Sequence, residues 1–176
     1  MANSNSDPDF LPVQIAVLTV SDTRTIDDDK SGQTLVDRLE AAGHILADRT
    51  IVPDDELMIV AQLCAWIENP KVDVVLATGG TGVTGRDVTP EAFHSVYEKE
   101  IPGFGEIFRM VSFDKIKTST IQSRATAGVA GGTYLFALPG SPGACKDAWD
   151  EILQYQLDIR HKPCNFAELM PRLKEK

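Results

Sequence analysis

Val72-Asp73-Val74-Val75-Leu76-Ala77-Thr78-Gly79-Gly80-Thr81-Gly82-Val83-Thr84-Gly85-Arg86-Asp87-Val88-Thr89-Pro90 is the stretch that decides the fold. Its first six residues have the apolar, β-branched character of a strand covered on both faces. Four glycines follow, so the backbone can take positive φ and approach a ligand with no Cβ in the way. Thr89-Pro90 then has the form of an N-cap ahead of a proline at the first helical position. A central strand that empties into a glycine loop before a helix is where open α/β sheets hold phosphates.

The loop admits several readings. Gly80-Thr81-Gly82-Val83-Thr84-Gly85 satisfies the dinucleotide pattern G-x-G-x-x-G. That fingerprint needs a helix opening within the glycines, and here Arg86-Asp87-Val88 intervene. The acid expected about 20 positions on would fall near Glu100, inside a charged helical stretch and away from a strand end. A Walker A loop needs lysine and a hydroxyl residue after its last glycine, where this chain has Arg86-Asp87. Two readings stay open. One is a phosphate loop of another type, with Asp87 facing the bound group. The other is a plain crossover turn, which rarely needs four glycines.

Working outward, Val13 to Val20 reads as the first strand, ending in Ser21-Asp22-Thr23-Arg24 at a carboxyl edge where ligands bind. Asp27-Asp28-Asp29-Lys30 reads as a solvated loop, and Ser31 as the cap of a helix carrying Leu35, Val36 and Leu39. His44 to Val52 is a second strand that leads to Pro53-Asp54-Asp55-Glu56. The plain reading makes Asp54 the cap of a helix from Asp55 to Glu68, with Leu57, Val60, Ala61, Cys64 and Ile67 at helical spacing. The order β-α-β-α-β predicts a three-layer α/β fold, with a wound, mostly parallel sheet flanked by helices.

Two helical pieces follow Thr89. The second carries Phe104, Ile107, Phe108 and Val111 on one face, with Met110 and Phe113 beyond it; this breadth suits a subunit contact or core burial. Ser123 to Val129 and Thr133 to Leu138 form a β-hairpin around Ala130-Gly131-Gly132. After Pro139-Gly140, Ser141 and Pro142 cap and open a long C-terminal helix to about Ile159, whose N-terminus is a second anion site. The organisation is a flexible arm over residues 1–12, one domain over residues 13–162 and a tail over residues 163–176.

Composition narrows the function. A chain of 176 residues with 43% hydrophobic and 24% charged residues fits one globular domain. No apolar run reaches membrane-spanning length and the polar start lacks a signal core, which predicts cytoplasmic residence. Cys64, Cys145 and Cys164 are too widely spaced for a disulfide framework or zinc site, and His44, His94 and His161 form no ligand cluster. A net charge of −9 argues against nucleic acid and acidic membranes as partners. A polyanionic ligand must therefore be attracted locally, by backbone amides, helix N-termini, a few cationic side chains and a metal ion.

Ser21-Asp22-Thr23, Pro53-Asp54, Thr78 to Gly82, Arg86 to Ala92, Ser123-Arg124 and Leu138 to Pro142 resemble the MoaB/MogA family of molybdenum cofactor biosynthesis proteins, in order and spacing, from about Val13 to Ile159. Phe108 to Phe113, Thr118 to Ala125 and Lys162 to Phe166 look more like the MoaB branch. The resemblance implies a protein that binds molybdopterin and adenylylates its terminal phosphate with ATP and Mg²⁺, releasing pyrophosphate. It assigns catalysis and Mg²⁺ to Asp54 and Asp87. It assigns substrate binding to Ser21, Asp22, Thr78, Gly79, Gly80, Thr81, Gly82, Ser123, Arg124, Pro139, Gly140 and Ser141. Some MoaB-branch members lack the first aspartate; this chain retains both. The resemblance also implies a homotrimer or a homohexamer.

The chemistry suits these residues. A phosphate monoester is already anionic at neutral pH and needs no general base, so the barrier lies in bringing two polyanions into line. Arg86 or Arg124 would neutralise the charge that Mg²⁺ leaves. Two other functions stay open on sequence alone: a molybdopterin carrier without chemistry of its own, and a nucleotide-binding domain that shares the fold.

Overall fold

The structure, a computed structural model, describes residues 8–175. Six strands form one sheet: β1 (Gln14–Val20), β2 (Ile45–Val52), β3 (Val74–Thr78), β4 (Lys99–Glu100), β5 (Thr126–Ala130) and β6 (Thr133–Leu138). Their order is β2-β1-β3-β6-β5-β4. The first four run parallel, and β5 and β4 close the far side antiparallel. The chain winds one way from β1 to β2 and the other way from β3 onward. The carboxyl ends of β1 and β3 therefore flank a topological switch point, where such sheets open a crevice.

Side chains on β3 alternate between two cores, which is why its sequence shows no polar face. Val74 and Leu76 join one with Leu35, Leu39, Phe104, Phe108 and Trp149. Val75 and Ala77 join the other with Ile59, Leu63 and Phe93. The first layer holds α1 (Lys30–Ala41), α4 (Pro102–Ile116) and α5 (Pro142–Ala148); the second holds α2 (Glu56–Ile67) and α3 (Thr89–Val96). The β5–β6 turn at Gly131 and Gly132 takes positive φ at both residues, 57° and 86°, the backbone of a tight two-residue hairpin.

The expected C-terminal helix begins as predicted, with the Ser141 hydroxyl accepting from the Ala144 amide. It then widens into a π-helical turn (Trp149–Leu153) and ends at α6 (Gln154–Gln156). Beyond it the tail folds back as α7 (Phe166–Leu169), with the Phe166 ring 4.9 Å from Tyr134 and 5.9 Å from Phe136. Residues 1–7 of the expected arm lie outside the described residues. Phe10 packs 5.2 Å from His44, under the Arg160 guanidinium.

Several local expectations are corrected. Asp29, not Ser31, caps α1, and it is only 2% exposed. It takes hydrogen bonds from the Thr19 hydroxyl (2.6 Å), the Ser31 hydroxyl (3.2 Å) and the Gly32 amide (2.9 Å), and an ion pair from Arg49 (3.1 Å). Thr19 and Arg49 reach it from β1 and β2, which local sequence cannot show. Asp55, not Asp54, caps α2. The buried face of α2 is Ile59, Leu63 and Trp66, while Leu57 is 79% exposed. This helix is apolar almost all round, so spacing alone did not pick its inner face. Thr89 is the first residue of α3 and caps nothing. The two-residue β4 had no sequence signature.

Burial pushes the Asp29 carboxyl up, but its bonds from Thr19, Gly32, Arg49 and Ser31 outweigh that and hold it below the ordinary carboxylate range. A depressed folded value contributes stability above the unfolded value and loses it as pH falls through the folded one. Asp29→Ala should therefore cost about 3 kcal/mol at pH 7, the order for breaking a buried pair and leaving its partner charged. In urea melts that deficit should shrink as pH drops below about 4.

Candidate functional site

At the ends of β1, β3 and β6 three chain segments meet almost without side chains. Gly79 has φ +108°, and a Cβ there would stand 2.2 Å from the Val20 carbonyl oxygen. Gly80 has φ +63°, and its Cβ would stand 2.4 Å from the Thr89 hydroxyl. Gly140 faces Gly79 so closely that its own Cβ would lie 3.1 Å from the Gly79 Cα. Of the four glycines in the loop, these two adjacent ones are in the left-handed region.

The loop's carbonyls are all held from within the protein. Gly79 O accepts from the Thr89 hydroxyl (2.8 Å) and Gly80 O from the Thr89 amide (3.1 Å). Thr81 O accepts from the Arg124 amide (2.9 Å), and Gly82 O from Arg124 Nε (2.6 Å). The Gly79 amide is also spent, on Leu138 O (3.0 Å). The amides of Gly80 and Thr81 meet no acceptor among the described residues. Two adjacent free N–H groups at a switch point form an anion nest.

An acid stands at each end of that nest. Asp54 Oδ1 lies 3.0 Å from where a Gly80 Cβ would be, and Asp87 Oδ2 2.8 Å from where a Gly82 Cβ would be. Gly80 and Gly82 are two residues apart, so their Cα atoms are separated by at most about 7 Å. The two carboxylates thus flank one tripeptide. Asp87 Oδ2 accepts from the Thr84 amide (2.8 Å) and hydroxyl (2.6 Å). Burial pushes its carboxyl up, but bonds from Thr84 and the Gly82 amide hold it below the usual range, so it is ionised. Among the described residues the Asp54 carboxylate forms no ion pair and takes no side-chain hydrogen bond; the Asp22 backbone is its one hydrogen-bond donor. Burial, then the like charge of Asp22 and more weakly of Asp87, raises it.

The predicted substrate residues separate into groups. Thr81, Gly82, Ser123, Pro139, Gly140 and Ser141 line a cavity of about 320 Å³, together with Phe108, Ser112 and the 3₁₀ segment Lys117–Gln122. Ser21 and Asp22 line a second cleft of about 450 Å³ with Arg24, Arg49 and Pro53. Thr78 lies beneath both, fully buried, its hydroxyl donating to Pro139 O (3.0 Å) and accepting from the Cys145 thiol (3.2 Å). With the Gly79 amide also engaged, Thr78 and Gly79 build the loop and do not present donors to a ligand. A larger cleft of about 480 Å³ is lined by Arg109 and Arg124 and by Glu91, Glu100 and Glu106, so acids outnumber arginines on its wall, a poor match for a phosphate.

Arg124 is a structural clamp. Its Nη2 donates to Asp87 O (2.7 Å), its Nη1 is held by Glu91, and its Nε holds Gly82 O. Sequence reading missed the supporting residues Thr84, Thr89 and Glu91, although all three lie in or beside the quoted stretch. It also assigned no site role to Ser112, Ser119, Thr120 and Gln122, although they lie in the stretches that look like the MoaB branch.

No three His, Cys, Asp or Glu side chains among the described residues cluster as metal ligands. Asp54 and Asp87 nonetheless suit Mg²⁺, which takes one or two carboxylates and completes its shell with water and phosphate oxygens. A partly buried carboxylate with no ion pair, beside two other acids, is the donor set a hard divalent cation relieves.

Comparison with known proteins agrees with the fold. Residues 16–159 match the family described as probable molybdopterin binding domain. The chain is 51% identical to molybdenum cofactor biosynthesis protein B of Escherichia coli K12 over 167 residues, covering 95% of this chain and 96% of that one. A crystal structure of a molybdenum cofactor biosynthesis protein B superposes with a TM-score of 0.85 at 40% identity, covering 94% of this chain and 98% of that one. The tungsten cofactor synthesizing protein MoaB from Pyrococcus furiosus superposes at 0.76 and 32% identity, covering 93% and 98%.

A carboxyl whose folded value lies above its unfolded value costs stability once pH rises past both, and costs nothing well below them. Asp54→Asn should accordingly raise the melting temperature by a few degrees at pH 7.5 without divalent cation, and by less at pH 4. Added Mg²⁺ should stabilise the wild type more than the variant.

Proposed function

This chain belongs to the MoaB/MogA family of molybdenum cofactor biosynthesis proteins, and on that premise we propose that it binds molybdopterin and transfers an adenylyl group from ATP to its terminal phosphate. The observation that carries the reading is the pair of free amides at Gly80 and Thr81 between Asp54 and Asp87. The cavity beside Ser123 receives the pterin, and the cleft beside Ser21 and Asp22 receives the nucleotide.

The reaction balances without a proton. An oxygen of the pterin's terminal phosphate bonds to the α-phosphorus of ATP. The bond from that phosphorus to the α–β bridging oxygen breaks, and pyrophosphate leaves with the electron pair. No general base is required, and neither cavity is lined by histidine or lysine among the described residues. The amides of Gly80 and Thr81 hold the nucleophilic phosphate. Arg124 keeps them aimed by fixing Gly82 O and Asp87 O. Asp54 and Asp87 would hold Mg²⁺, which when bound offsets the charge of the reacting phosphates.

A non-catalytic pterin carrier is the second reading, favoured by one observation. Asp87 Oδ2 is already committed to Thr84 and could serve only to shape the loop. Asp87→Asn separates the two, because the amide oxygen still accepts from Thr84 while the charge is lost. For an adenylyltransferase, pyrophosphate release should fall about 10²-fold or more, as when a preorganised electrostatic contact is removed, with pterin affinity nearly unchanged. A wild-type protein that binds both substrates and forms no adenylylated pterin would leave the carrier reading.

We also propose that the protein is cytoplasmic and works as a homotrimer or homohexamer. No helix among the described residues is long and apolar enough to cross a membrane. On α4, Ile107, Met110, Phe113 and Ile116 stand exposed, with Met110 at 66%. Light scattering should report an oligomer, and Met110→Glu should shift it toward the monomer.

A further inference from the structure

Two arginines lie close enough to the acids to meet a polyphosphate, and the structure distinguishes them. Every nitrogen of the Arg124 guanidinium is committed, to Gly82 O, Asp87 O and Glu91. Turning it to a ligand would release the glycine loop. Among the described residues Arg86 has a single partner. Its Nε (3.2 Å) and Nη2 (2.5 Å) both donate to Asp22 Oδ2, and its side chain is 68% exposed. Exposed pairs of this kind are weak, since both ions keep most of their hydration in either state.

The position of the pair matters more than its strength. Arg86 precedes Asp87 on the glycine loop, and Asp22 follows β1 on the wall of the cleft beside Ser21. The other oxygen of Asp22 accepts from the Asp54 amide (3.1 Å). One ion pair therefore bridges the segments that carry Asp54 and Asp87. The charge of Arg86 opposes the rise that burial and Asp22 impose on Asp54, while Arg124 is the cation that acts on Asp87. Of the other arginines of the cleft, Arg49 is held by the buried Asp29, and Arg24, 3.9 Å from Asp28 on its own loop, bridges neither segment that carries Asp54 or Asp87.

We propose that Arg86 is the residue that takes the nucleotide's phosphates and that Asp22 is its resting partner, so that Mg-ATP binding exchanges the Asp22–Arg86 pair for an Arg86–phosphate pair. This deepens the adenylyl-transfer reading and rests on it. The exchange conserves local charge: the incoming cation takes over the acids as the guanidinium leaves for the phosphates. A guanidinium also offers parallel donors that match phosphate oxygens, which a lysine ammonium does not. It reassigns Asp22 from a substrate contact to a competitor for Arg86.

Titration calorimetry with Mg-ATP and with Mg-pyrophosphate, on wild type, Arg86→Ala, Arg86→Lys, Asp22→Asn and the double variant, tests the exchange. Arg86→Ala should weaken both ligands about tenfold or more, the loss of a hydrogen-bonded charge, with Arg86→Lys between it and wild type. Asp22→Asn keeps an acceptor for the Asp54 amide and should tighten Mg-ATP about threefold, the scale of an exposed ion pair. In the Arg86→Ala background that gain should shrink. Arg86→Ala binding Mg-ATP as wild type does, or Asp22→Asn giving an equal gain with and without Arg86, would overturn the exchange alone. Wild type that binds neither ligand would overturn the adenylyl-transfer reading along with it. Equal melting temperatures across the set exclude misfolding, as expected for exposed side chains.

Discussion

The carbonyl oxygens of residues 79–82 are all turned into the protein and bonded there, and this one constraint governs the rest. Thr89 supplies two of the donors and Arg124 the other two. A peptide whose carbonyl is pulled inward directs its neighbouring amide the other way. The free donors at Gly80 and Thr81 are therefore a product of donors outside the loop and of two left-handed residues within it. The same bonds bring α3 and the Arg124 segment against the loop, so the acid that follows Arg86 is fixed along with the amides.

Electrostatics here runs against the average of the molecule. The chain carries a net charge of −9, and the crevice adds Asp22, Asp54 and Asp87 within mutual influence. Such a cluster destabilises a protein unless something offsets it, and the internal offset is slight: the exposed Arg86, Arg124 at a distance from the Asp87 carboxylate, and a few loop hydrogen bonds. Binding sites for divalent cations and polyphosphates commonly retain this sort of strain, since the ligand supplies the missing charge. The two cavities on either side of the loop give two anionic substrates separate approaches to it.

Much of this was legible in the sequence, for identifiable reasons. β3 and β6 were plain because strands buried on both faces carry unbroken apolar runs. The hairpin was plain because only glycines suit two consecutive positive φ values. The glycine loop was recognisable as a ligand loop, but not which of its amides are free; Gly79 looked like a donor and is consumed by Leu138 O. Helix starts misled wherever acids or hydroxyls stood side by side. Asp54 and Asp55 are equally good caps by type, and folding alone assigned the cap to Asp55 and left Asp54 facing the crevice without an ion pair among the described residues. Asp29 looked solvated because Thr19 and Arg49, which bury it, are distant in sequence. The 3₁₀ segment over Lys117–Gln122 walls a cavity through tertiary position, a role that its likeness to the MoaB branch did not disclose.

The far side of the sheet ends in β4, only Lys99 and Glu100, both exposed and charged. A neighbouring chain that tried to extend the hydrogen-bonded ladder at that border would find two residues to pair with and two ions to strip of water. Borders this short and this polar discourage edge-to-edge growth into fibrils. Copies that do meet are steered away from that border, toward contacts made by side chains, which can be specific and can close on themselves.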